Sequence, residues 1–99
     1  MEFKDKIKLS TSFVDNKFKE GYKIAKGISL SSNQQVAINI SNEDEHLAET
    51  IESCQKDDVL GLKGQVTFSA SAKNDKVYTN INLYPDFVVL LGQVRFPEF

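Results

Sequence analysis

Tryptophan is absent from this 99-residue chain, and cysteine and histidine occur once each. The lone Cys54 has no second cysteine for an internal disulfide and no Cys/His company for a zinc site. A reducing, cytoplasmic setting fits it. His46 shares no recognisable motif with a serine or aspartate, which argues against a catalytic triad. There is no Gly-rich phosphate loop. No apolar run approaches the ~20 residues that a membrane helix needs. The start, MEFKDKIKLS, is polar and lacks the apolar stretch of a signal peptide. The acid groups Glu43-Asp44-Glu45 and Asp57-Asp58 lack the spacing of a calcium loop; solvation at helix ends accounts for them. The expectation is a chain without catalytic residues, metal or cofactor.

What is present reads as one soluble, globular domain, with 40% hydrophobic and 26% charged residues. The net charge of −2 argues against a purely electrostatic nucleic-acid binder. Its distribution matters more than its sum. Residues 1–32 carry seven lysines (4, 6, 8, 17, 19, 23 and 26) against Glu2, Asp5, Asp15 and Glu20. Residues 42–58 carry seven acids against Lys56 alone. A chain polarised in this way can present a basic face at a pI of about 5.3.

Period-two patterning dominates. Phe3, Ile7, Leu9 and Phe13 alternate with Lys4, Lys6, Lys8, Ser10 and Ser12, which predicts a strand with one wet face. Asp15-Asn16 signals a turn. Over 21–31, Tyr22, Ile24, Ile28 and Leu30 form the expected inner face, with Gly27 at a bulge or barrel corner. Residues 34–41 predict a third strand with Val36, Ile38 and Ile40 inside. The period then changes. Asn42 and Glu45 suggest a capping box, and Leu47, Ile51 and Cys54 form the stripe of a helix at about 43–55. Residues 59–72 and 76–84 predict a hairpin with its tip at Lys73-Asn74-Asp75. Pro85-Asp86 is expected to end the second arm, ahead of a short apolar segment, Phe87–Leu91. The predicted order, β-β-β-α-β-β, is all-β with one helix. It is the order of the five-stranded Greek-key OB barrel. The domain is expected to span 1–92, with 93–99 a short C-terminal tail.

Residues 36–92 also resemble the OB-fold single-stranded DNA-binding protein family of bacterial and phage type. The resemblance rests on Leu47-Ala48-Glu49, Asp58-Val59-Leu60-Gly61-Leu62-Lys63-Gly64, Lys73-Asn74-Asp75-Lys76 and Val88-Val89-Leu90-Leu91-Gly92, with VAINIS (36–41) as the third strand. It implies binding of single-stranded DNA, a role in replication or recombination, and homo-oligomers, dimeric or higher. Two features depart from the family pattern: the missing tryptophan, on which many members stack bases, and the missing long acidic tail. The short form is closer to phage, plasmid or mobile-element members, which implies a bacterial host cytoplasm.

Single-strand binding needs π faces for stacking and cations along the backbone track. Phe18 near the first turn is the expected exposed aromatic, among Lys17, Lys19, Lys23 and Lys26; Phe13 and Tyr22 share parity with apolar neighbours and read as core. Lys6 and Lys8 share the wet face of the first strand. Tyr78, with Lys73 and Lys76, forms a second candidate cluster at the hairpin tip; a plain cross-strand pair is the other reading of Tyr78. Phe68 reads as core or as an inner hairpin residue. Asn80 and Asn82 lie on the outward parity, suited to hydrogen bonds with bases or to plain surface. The favoured function is binding of single-stranded DNA with little sequence preference. The alternative is an OB-fold replication accessory or protein-interaction module that binds a helicase, polymerase or recombinase.

Overall fold

Alternation of apolar and charged residues makes β1 (Glu2–Leu9) a strand whose Ile7 and Leu9 are fully buried while Lys4, Lys6 and Lys8 stay in water. The computed structural model describes residues 2–92, apart from the side chains of Ser71, Lys73 and Tyr78. The expected tail, 93–99, lies outside the described residues. The other elements are β2 (Val14–Asp15), β3 (Tyr22–Ser29), β4 (Gln35–Ser41), α1 (Glu45–Glu52), β5 (Val59–Lys73) and β6 (Lys76–Gly92).

Five strands close into a barrel in the cyclic order β1-β3-β4-β6-β5, with two-residue β2 added on the outer edge of β3. Every pairing is antiparallel except β4 with β6, where Ala37 faces Asn82 and Ile38 faces Leu83. One layer of the core can be followed around the wall: Ile7 pairs with Leu60 and with Ser29, Ala25 with Ile38, and Leu83 with Val66. This is the expected OB barrel. Leu47 and Ile51 of α1, with Cys54 just beyond, are buried in the same core as Ile38, Ile40 and Leu62. Burial of a leucine or isoleucine of this kind stabilises by about 1.5–3 kcal/mol.

The helix is shorter than its sequence pattern suggests. It starts after Asp44, not Asn42, because the Asp44 carboxylate accepts the Leu47 N–H at 3.1 Å. It ends at Glu52, where Ser53 caps it. Asp58 beyond it is not a solvated helix-end acid. It is buried, and its carboxylate accepts the Gln55 N–H at 2.9 Å. Its neighbour Asp57, at φ 74°, donates its N–H to the Leu9 carbonyl.

The inner face of β3 is the reverse of the expected one. Ala25, Gly27 and Ser29 point inward; Tyr22, Ile24, Lys26 and Ile28 point outward. The cause is the close approach of β1. A Cβ on Gly27 would lie 2.5 Å from Ile7 Cγ2 and 2.9 Å from the Lys8 carbonyl oxygen. Only small residues fit on a wall pinched this tightly.

Nor does Pro85-Asp86 end the last strand. Lys63 faces Phe87 but Gly64 faces Pro85, so Asp86 is the extra residue of a bulge. Proline, lacking an N–H, is tolerated at such a site. The bulge switches the parity of β6. Leu83 and Pro85 point inward before it and Val88 after it, which turns Phe87, Val89 and Leu91 out to solvent.

The hairpin of β5 and β6 outruns the barrel and lies within a molecule 51 Å long. Its turn has both central residues, Asn74 and Asp75, at positive φ, the geometry of a type I′ turn. Phe68 and Val77 continue the core-facing parity of their strands, but past the end of the barrel they join no buried cluster among the described residues. They are 56% and 73% exposed, so Phe68 is not a core residue.

Candidate nucleic-acid interface

The outward residues of β3, β4 and β6 form rows across the sheet. Tyr22 faces Ser41, Ile24 faces Asn39, and Lys26 faces Ala37, which in turn faces Asn82. Tyr84 lies one step along β6 on the same outer side as Asn82. Tyr22 and Tyr84 meet edge to face, with ring centroids 6.3 Å apart and planes at 89°. Above them sits Lys19, whose Nζ lies 4.5 Å from each ring centroid and donates to Tyr84 Oη at 3.4 Å.

Asn16 builds the loop that places this lysine. Its N–H donates to the Tyr22 carbonyl, its Oδ1 accepts the Phe18 N–H, and its carbonyl accepts the Lys19 N–H. Its Nδ2 donates to Asn39 Oδ1 at 3.2 Å. Gly21, at φ +84°, closes the turn and accepts the Asn42 N–H. The loop is thus tied to both β3 and β4, which sets the Lys19 backbone beside the rings. Cation–π attraction adds about 0.5–1 kcal/mol at an exposed site such as this.

Beside the tyrosine pair, a polar cleft of about 370 Å3 opens between β4 and the hairpin. Ala37 forms part of its wall, with Lys26, Gln35, Asn80 and Asn82 around it. Among the described residues no cluster of three or more His, Cys, Asp or Glu could hold a metal ion, and no helix is long and apolar enough to cross a membrane.

The expected site residues divide. Lys17, Lys19 and Phe18 share the loop, with Phe18 fully exposed at its tip, and Lys26 lines the cleft. Lys8 reaches the same face by pairing with Ile28, which pairs with Gln35. Lys23 does not: it pairs with Ile40 on the inner parity of β3 and is half-buried. Lys6 lines a different groove, with Leu30, Phe87, Val89 and Leu91. Lys76 is exposed at the hairpin tip. Lys73 and Tyr78 pair in register with Lys76 and Ser71; their side chains lie outside the described residues.

Tyr22 and Tyr84 were the residues sequence reasoning left out of the site. Tyr22 shares parity with Ile24 and Ile28, which reads as core until β1 reverses the face of β3. Tyr84 carried a usable signal, since it stands on the parity opposite Ile81 and Leu83. Asp15-Asn16 signals the turn, but nothing in the pattern announces the bond from Asn16 to Asn39.

The closed five-stranded barrel with its one helix has the OB fold. Its fold is similar to that of the mitochondrial single-stranded DNA-binding protein Rim1 of S. cerevisiae, with a TM-score of 0.69 over 92% of this chain and 94% of that one, at 14% identity. No family model matches the sequence, and no curated protein matches it.

Proposed function

We propose that this chain binds single-stranded DNA with little sequence preference, through aromatic stacking and lysine–phosphate contacts. The observation that carries the reading is the Lys19–Tyr22–Tyr84 cluster on the outer barrel face. Stacking there tolerates any base, because every base has a π face. Lys17 and Lys26 supply cations on either side of the cluster, where a strand laid across β3 and β4 would run. The negative net charge is no obstacle, since α1 and its flanks hold half of the acids against a single lysine. The role that fits is coating or protecting single strands during replication or recombination, in a bacterial cytoplasm if the protein belongs to a phage or mobile element.

Self-association is part of the proposal. The bulge at Asp86 turns Phe87, Val89 and Leu91 outward beside Leu30, around a groove of about 770 Å3. Exposed apolar patches of this kind mark contact surfaces. A dimer or higher form would extend the binding face. The same patch favours a second reading, an OB-fold accessory module that contacts a helicase, polymerase or recombinase.

Fluorescence anisotropy with dT, duplex DNA and RNA oligomers at two salt concentrations separates the readings. The expected result is tight dT binding that weakens steeply with salt. Absence of dT binding at low salt by folded protein would favour the protein-contact reading.

A further inference from the structure

We propose that the polar cleft beside the tyrosine pair is a base-edge subsite, which takes the hydrogen-bonding edge of one unstacked nucleobase and gives the protein a modest base preference. The inference rests on the single-strand reading above and assigns a second chemistry to the same face.

Three observations carry it. First, the lining is of the right kind. Gln35, Asn80 and Asn82 supply amides, each with a donor and an acceptor, and Ser69 and Thr79 supply hydroxyls. Amides of this type pair with base edges. Among the described residues no aromatic ring lines the cleft, so what these side chains offer a base is contact with its edge. Second, the space comes from a small residue. Ala37 occupies the row between Lys26 and Asn82, and a larger side chain there would fill the hollow. The volume of about 370 Å3 lies within the ~300–1,000 Å3 usual for small-ligand sites. Third, the amide of Asn82 sits on a rigid support. Its backbone pairs with Ala37 on one side and Thr67 on the other, where three strands run together. Tyr84, two residues on and about 7 Å along the strand, lies where the neighbouring nucleotide would stack. Lys26 stands at the cleft to meet the intervening phosphate.

Labelled dT, dC and dA oligomers of equal length, titrated at one salt concentration, test the assignment. The wild-type protein is expected to separate the best from the worst homopolymer by about fivefold or more. Asn82→Leu and Ala37→Leu, checked for folding by circular dichroism, are expected to reduce that separation to within about twofold. Asn80→Ala, at an exposed position and checked in the same way, provides a third variant and is expected to narrow the separation. Tyr84→Ala is expected to weaken all three oligomers alike, which distinguishes the stacking site from the cleft. Equal binding of the homopolymers by the wild type, or an unchanged separation in all three cleft variants, would overturn the subsite and leave single-strand binding intact. Failure of the wild type to bind any oligomer would overturn both.

Discussion

Tyr22 and Tyr84 come from strands far apart in sequence, yet their rings meet at 6.3 Å and 89° across β4, which carries the short side chains of Ser41 and Asn39 on its outer side there. Aromatic pairs favour this edge-to-face arrangement. If the pair is a stacking platform, Tyr84→Ala and Tyr22→Ala should each weaken oligo-dT binding by about 1–3 kcal/mol. The double variant should lose less than the sum, because each ring orients the other. Anisotropy titrations of the three variants give the result, and unchanged affinity in Tyr84→Ala would remove it from the interface.

Lys19 faces two demands. In the free protein its ammonium lies over both rings; in the proposed complex it would meet a phosphate. Lys19→Gln should therefore reduce the slope of log affinity against log salt by about 0.7, the value for one lost phosphate contact on a single strand. A slope equal to that of the wild type would mean that Lys19 acts only on the rings.

Gly64 is fixed by backbone and not by flexible side chains. A Cβ there would lie 2.5 Å from the Tyr84 carbonyl oxygen and 2.6 Å from Pro85 Cα. Gly64→Ala must therefore push β5 and β6 apart at the bulge. A loss of roughly 1–3 kcal/mol is expected from urea unfolding. The displacement would also move Tyr84, so oligo-dT affinity should fall with stability.

The N-terminal side-chain cap on α1 gives a cleaner test. Asp44→Ala leaves the Leu47 N–H without its acceptor and should cost about 0.5–2 kcal/mol of stability. Because α1 lies away from the outer face of β3 and β4, DNA affinity at a temperature where the protein stays folded should be unchanged.

The barrel was legible because its inner residues alternate cleanly where the wall is wide. Val36, Ile38 and Ile40, or Leu60 and Leu62, cannot be misplaced by a period-two reading. The face of β3 was not legible, since its inner residues are Ala25, Gly27 and Ser29. The pattern puts large apolar groups inside by default, and only the approach of β1 reverses that choice. Pro85 misled for a related reason: a proline ends a regular strand but not one with a bulge. Of the site, exposed Phe18 and the lysines of its loop were visible as a cluster of like residues. The tyrosine pair depends on two strands brought together through β4, a relation that no local spacing encodes.

The type I′ turn at Asn74-Asp75 also bears on the order in which the chain folds. From that turn, each step of the β5–β6 ladder joins residues only slightly farther apart in sequence than the last, so the hairpin can zip from its tip with little loop entropy lost per step. Closure is different. Ile7 must find Leu60 across about half of the chain, with β2, β3, β4 and α1 in between. Pairings of such range slow folding. The expected sequence is an early hairpin that waits, its Phe68 and Val77 already as bare as they stay in the native state, for β1 to arrive and seal the barrel.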